Sequence, residues 1–187
     1  VPVTRRAAAL AVALAVCAGG CRREFAGRII EPRRAAPDVG ALRFAEQRGK
    51  VVVLTFGFTA CPDVCPLTLS RMGSAYALLG ADAGRVTMAF VGVDPERDGP
   101  EALREHVALF DRRILPVHLA RAALARALDG YGAAAARRHR GAAGGVAVEH
   151  TTGMFVTDTQ GRLRLHHRHD ASPEALVADL RRLLAER

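Results

Sequence analysis

The chain has 187 residues, enough for one domain that buries a real core. Half of them are apolar and a quarter are charged, which excludes a disordered polyelectrolyte. The net charge of +8 invites a nucleic-acid reading, but Lys50 is the only lysine among 27 basic residues, and this arginine excess beside abundant alanine reads as compositional bias, so no nucleic-acid partner is expected.

Arg5 and Arg6 precede an apolar run from Ala7 to Ala18, followed by Gly19, Gly20, Cys21 and the pair Arg22–Arg23. That is the layout of a secretory signal over residues 1–20. The run is shorter than the roughly 20 residues a membrane-spanning helix needs. Its A-G-G-C ending resembles a bacterial lipobox, with Ala18 where leucine is usual, and makes Cys21 the candidate for lipidation. A plain cleaved signal and a retained N-terminal anchor are the alternatives. The expected location is the periplasm or the outer side of the cytoplasmic membrane, with a lipid holding the chain to the bilayer. Cys17 lies inside the apolar run and leaves with the signal. Cys61 and Cys65 then remain as thiols in an oxidising compartment, where a pair is a disulfide, a redox couple or a metal site.

Residues 21–49 read as a tether and an irregular lead-in, with Pro32 and Pro37 breaking any regular element. Residues 50–187 form the folded domain. Val51–Phe58 is an unbroken β-branched and aromatic run, expected as a strand buried on both faces. Val64–Leu79 has helical spacing and ends at Gly80. Val86–Val93 is a second buried strand. Pro100–Phe110 and Leu119–Leu128 are helices, the first opened by proline. Ala133–Arg140 and Gly141–Gly145 are low in complexity and read as a flexible excursion. Thr152–Thr157 and Arg162–His167 are strands of a hairpin turning at Asp158–Gly161. Ser172 caps a last helix that runs to about Leu184. The order β-α-β-α-(α)-β-β-α, with a right-handed crossover between the first two strands, predicts an α/β thioredoxin-like fold: a central mixed sheet with helices on both faces.

Cys61-Pro62-Asp63-Val64-Cys65-Pro66 falls where the first strand ends and the first helix begins. The helix dipole and free N–H groups there favour thiolate. The spacing is C-x-x-x-C rather than the C-x-x-C of thioredoxin oxidoreductases, which stacks the pair at i and i+4 on one helical face. Two such thiolates suit Cu(I) or Zn²⁺, and they are also close enough to oxidise to a disulfide. A purely structural bridge would close only a tiny loop, with little entropic benefit.

V-V-V-L-T-F-G-F-T-A-C-P-D-V-C-P at 51–66 closely resembles the signature of the Sco/SenC family, copper proteins of cytochrome c oxidase assembly. The resemblance continues in F-V-G-V-D-P-E-R-D-G-P-E-A-L at 90–103, in V-E-H-T-T-G-M-F-V-T-D-T-Q-G-R-L at 148–163 and in the closing S-P-E-A-L-V-A-D-L-R-R-L-L. It implies that Cys61, Cys65 and His150 bind one copper ion, as Cu(I), Cu(II) or both. The implied role is a membrane-tethered metallochaperone for the CuA centre of the oxidase, which need not be an enzyme. The implied partners are the copper-bearing oxidase subunit and another periplasmic copper chaperone or thiol reductant. The alternatives are a thiol-disulfide reductase that uses Cys61 and Cys65 on the oxidase copper-site cysteines, and a redox or copper sensor. Thr151 and Thr152 stand where thioredoxin-like enzymes carry a cis-proline. A hairpin usual in the family before the first core strand looks shortened or missing here.

Other residues carry less. Asp63 reads as a helix-start acid serving the dipole. Asp94 and Asp98 follow the second strand at its carboxyl end, where a capping or salt-bridge role competes with a functional one. His166, His167 and His169 look like a second metal cluster, with an exposed strand end as the plainer reading. His106, His118 and His139 are given no role.

Overall fold

The computed structural model describes residues 24–140 and 145–186. The expected signal, Cys17, Cys21 and Gly141–Gly144 lie outside the described residues. A six-stranded sheet forms the centre, in the order β1-β8-β7-β2-β3-β4. Its middle is the apolar pair β2 (Val51–Gly57) and β3 (Val86–Gly92), parallel and in register from Val51↔Val86 to Gly57↔Gly92. All seven residues of β2 are buried, as expected of a strand covered on both faces. β4 (Leu115–Val117) extends the parallel side, and Pro116 is tolerated because β4 is the edge. On the other side β7 (Met154–Thr157) and β8 (Leu163–His167) form the hairpin, antiparallel to β2, and β1 (Arg28–Ile29) closes that edge.

Among the described residues, four α-helices cover the sheet. α1 (Val64–Leu79), α2 (Pro100–Ala108) and α4 (Pro173–Ala185) lie on one face; a Cβ on Gly57 would meet Cys65 of α1, and one on Gly92 would meet Leu103 of α2. α3 (Arg121–Tyr131) covers the other face, where Tyr131 meets Phe56 and Phe155 edge-on at 5.7 and 5.4 Å. The fold is thioredoxin-like, with helices on both faces of a mixed sheet.

Two stretches depart most from the expectation. Ala133–Arg140 is no loose excursion: Ala135–Arg140 is strand β5, paired antiparallel with β6 (Gly145–His150) in a separate two-stranded ribbon. Pairing there is between backbones, and the Ala/Arg run carries no apolar alternation that would announce it. The lead-in is not merely a tether, because Ile30, Ala36, Val39, Leu42 and Phe44 join the core. The shortened hairpin before β2 is a single antiparallel bridge between Val39 and Leu42, turning through Gly40 at φ 57°.

Candidate metal centre

The strand β2 ends at Gly57, and the chain turns through Phe58, Thr59 and Ala60 into Cys61. That turn is held from below by Asp98, which is 2% exposed and accepts from Thr59 N–H at 2.9 Å and from the Thr59 hydroxyl at 2.5 Å. Asp98 therefore neither caps α2, whose N-cap is Gly99, nor pairs with a cation; it clamps the loop after β3 to the loop that delivers Cys61. Asp94, 0% exposed, does take the ion-pair role, between Arg97 and Arg137.

The two cysteines are not stacked on one helical face. α1 starts at Val64, so Cys61 sits before the helix and only Cys65 within it. The Cys61 sulfur accepts the Cys65 N–H at 3.4 Å, satisfying one of the free donors of the helix start. Asp63 is the N-cap residue, but its side chain makes no capping hydrogen bond. Both thiols are free. Cys61 is half-buried and Cys65 is 2% exposed. Burial, reinforced by hydrogen bonding and charge at Cys61, pushes the Cys65 thiol far above its ordinary range, so it holds its proton. The expected thiolate-favouring effect of the helix start is outweighed there, because a desolvated anion costs more than one turn of dipole returns.

His150 is the last residue of β6 and points at the pair: Cys65 Sγ lies 3.6 Å from His150 Nε2. The Nδ1–H donates to the carbonyl of Thr151 at 2.9 Å, which leaves the Nε2 lone pair facing the sulfur. Burial lowers the His150 pKa, which keeps the ring neutral at neutral pH, and the ring stands edge-on to Phe58 at 5.8 Å. Each of Cys61, Cys65 and His150 offers a donor atom, and these lie within 4.8 Å of one another. No other group of three or more metal-ligating residues is found among the described residues. Two sulfurs and one imidazole nitrogen, converging with one sulfur partly exposed, form a donor set for a soft or borderline cation.

The loop that carries His150 into β7 is fixed by groups to which no sequence pattern assigns such a role. Thr55 donates to the Gly153 carbonyl at 2.8 Å, and the His166 ring bonds the Thr152 carbonyl at 3.1 Å. Gly153 has φ 103°, and a Cβ there would lie 2.3 Å from the His167 carbonyl. The three neighbouring histidines form no cluster, and the plainer reading of an exposed strand end fails too. His166 serves this loop, while His167 is 1% exposed and pairs with Asp179 at 3.1 Å. Strand alternation sends 166 and 167 to opposite faces, and the chain leaves the strand before His169.

A family profile described as SCO1/SenC matches residues 40–185. Among known proteins, the chain is 27% identical over 135 residues to the SCO2-like protein of Rickettsia conorii, covering 72% of this chain and 66% of that one. It is 29% identical over 143 residues to the mitochondrial protein SCO2 homolog of Homo sapiens, covering 75% of this chain and 54% of that one. The match thus spans less than two thirds of the length of these relatives. The solution structure of apo Sco1 from Thermus thermophilus superposes with a TM-score of 0.78 and 33% identity, over 88% of this chain and 99% of that one. The copper-bound ScoI of Bradyrhizobium japonicum does so with a TM-score of 0.68 and 30% identity, over 75% and 88%. With the profile covering most of the folded part, the chain belongs to the SCO1/SenC family.

Proposed function

We propose that this chain is a copper chaperone that binds one ion through Cys61, Cys65 and His150 and delivers it to the CuA centre of cytochrome c oxidase. The observation that carries the reading is the convergence of three donor atoms of copper-compatible type within 4.8 Å. A copper-bound relative of the same fold, at 30% identity, supports the choice of metal. The three donors suit trigonal Cu(I), and Cu(II) would add an oxygen or nitrogen ligand. Copper is the cargo here. Delivery exchanges ligands without breaking a covalent bond, so the protein need not be an enzyme.

We further propose that residues 1–20 direct export, that Cys21 carries a lipid and that residues from about 24 onward form the working domain on the outer side of the cytoplasmic membrane. No helix among the described residues is long and apolar enough to cross a membrane. The partners in this reading are the copper-bearing oxidase subunit and a periplasmic copper donor or thiol reductant.

A titration of the reduced protein with Cu(I), and spectroscopy of the Cu(II) form, test the proposal. The His150→Ala variant is expected to lose affinity by about tenfold or more and to lose the nitrogen coupling, with both thiols still reducible. An unchanged titration in that variant removes His150 from the ligand set. A second reading, reduction of the oxidase cysteines, is favoured by one observation: a half-buried Cys61 beside a buried Cys65 is the layout of an attacking and a resolving thiol. Failure of the metal-free dithiol to reduce a disulfide in the oxidase copper-site peptide eliminates it.

A further inference from the structure

The ribbon β5–β6 delivers His150, and among its described side chains Ala135 and Val148 pack, partly buried, against the core. A cavity of about 370 Å³ lies between it and α3, lined among others by Val93, Leu124, Leu128, Ala135 and Val148. Register puts Ala135 opposite His150 and Arg137 opposite Val148. Alternation therefore places Arg137 and His150 on the same face of the ribbon, the face turned toward the body of the protein. At the base, Thr151 N–H donates to the Ala134 carbonyl at 2.8 Å, and the Thr151 hydroxyl accepts from Ala134 N–H at 2.9 Å. Motion of β5 is thus transmitted to the residue next to His150.

Beside that packing, charge bridges the gap. Arg137 reaches across to Glu96 at 3.1 Å and to Asp94 at 3.3 Å, both on the loop after β3. Arg121 also pairs with Glu96, and Arg97 pairs with the second Asp94 oxygen. The Asp94 Oδ1 is buried, and Arg137 sits at ion-pair distance from it without forming a hydrogen bond. The attachment therefore combines a charge-assisted hydrogen bond, donated by Arg137 to Glu96 at 3.1 Å, with a looser ion pair to Asp94. Removing Arg137 would leave the buried Asp94 carboxylate with Arg97 alone, since Arg121, which also lines the cavity, is paired with Glu96.

We propose that Arg137 is a positioning residue for His150: its ion pairs with Asp94 and Glu96 latch the ribbon, and the latched ribbon sets the third ligand against Cys61 and Cys65. This rests on the copper reading above. With the latch closed, the site has three ligands. With it open, His150 swings off with the ribbon and two cysteines remain, a state from which an acceptor can take the ion.

The test uses the copper-loaded full chain and the variants Arg137→Gln, Arg137→Lys and His150→Ala. In Arg137→Gln, the nitrogen coupling in the Cu(II) spectrum is expected to fall in amplitude, with copper affinity weakened about tenfold to a hundredfold, as for loss of an outer-sphere support. Arg137→Lys, which keeps the charge, is expected to recover much of the coupling. Raising the ionic strength with a non-coordinating salt from about 0.05 to about 0.5 M, which shortens the screening length, should weaken copper binding in the wild type and much less in Arg137→Gln. Wild-type coupling and affinity in Arg137→Gln, while His150→Ala loses both, overturn the latch and leave the copper reading standing. No effect in His150→Ala overturns the copper ligand assignment itself.

Discussion

At the scale of single residues, the site depends on how closely side chains pack against the backbone of β2. Gly57, the last residue of β2, leaves no room for a methyl: a Cβ there would lie 2.5 Å from the Phe90 ring and 2.9 Å from Cys65 Sγ. Glycine inside a strand run is a mark of such close approach, and V-L-T-F-G-F carries it in plain view. Gly57→Ala is expected to destabilise the fold by about 1–3 kcal/mol through overpacking. It should also shift Cys65 and weaken copper uptake, read by a melt and a copper titration on the same sample. The same scale shows what a one-dimensional reading misses. The C-x-x-x-C spacing pointed to two thiols on one helix face, but the helix begins only at Val64 and Cys61 caps it from outside. Spacing carries no information about where the first helical residue falls. Asp98 was visible as an acid at a strand end, yet its partner Thr59 lies 39 positions away, beyond any local pattern.

Elements were legible in proportion to their apolar periodicity. β2, β3, α1 and α4 bury one stripe or both faces, and their bounds follow the apolar residues closely. α4 adds a cap that was also legible: Ser172 accepts the Ala175 N–H at 3.2 Å, with Pro173 in the first turn. Ser172→Ala is expected to cost about 1 kcal/mol, measured as a shift in the urea midpoint with unchanged slope. Elements without a stripe escaped notice. β4 is three residues with a central proline, and β5 is built of Ala, Arg and one His, so neither carries a strand signal of its own. The hairpin turn was legible because its chemistry is local: Asp158 accepts from Gln160 N–H and Arg162 N–H, each at 3.0 Å, and Gly161 supplies φ 76°.

For the molecule as a whole, two buried carboxylates hold the fold together, Asp179 across distant parts of the chain and Asp158 within the hairpin. Asp179 of α4 accepts the Gly27 N–H at 2.9 Å and the Ala26 N–H at 3.2 Å, and pairs with His167 of β8, so it joins the lead-in, the sheet and the last helix. Burial alone would raise its pKa, but the bonds from His167, Gly27 and Ala26 bring it net below the ordinary value. Asp158 is lowered in the same way: burial opposes, and the Arg162 and Gln160 donors win. Groups depressed in the folded state stabilise it above the ordinary carboxylate value of about 3.9, and that contribution is lost as pH falls through the folded pKa. Urea midpoints are therefore expected to hold steady down to about pH 5 and to decline below about pH 4, with a shallower decline in Asp179→Asn. A midpoint that does not fall in acid would contradict the pairing. Because Ile30, Val39, Leu42 and Phe44 belong to the same core, the folded unit starts well before the first apolar strand.

The unequal exposure of the two sulfurs gives the site a direction. Cys65 is buried with its sulfur against Gly57 of β2, whereas Cys61 stands half in solvent. In the copper reading proposed above, an acceptor thiolate would approach over Cys61, so of the two cysteines Cys61 would be traded before Cys65. In the metal-free protein the same asymmetry sets a hierarchy of chemical attack. Iodoacetamide is expected to label Cys61 much faster than Cys65, which is both shielded and held as the thiol, and peptide mass spectrometry over a time course reads the two rates separately. Equal labelling would mean that the site is a two-way opening and that exchange has no preferred first step.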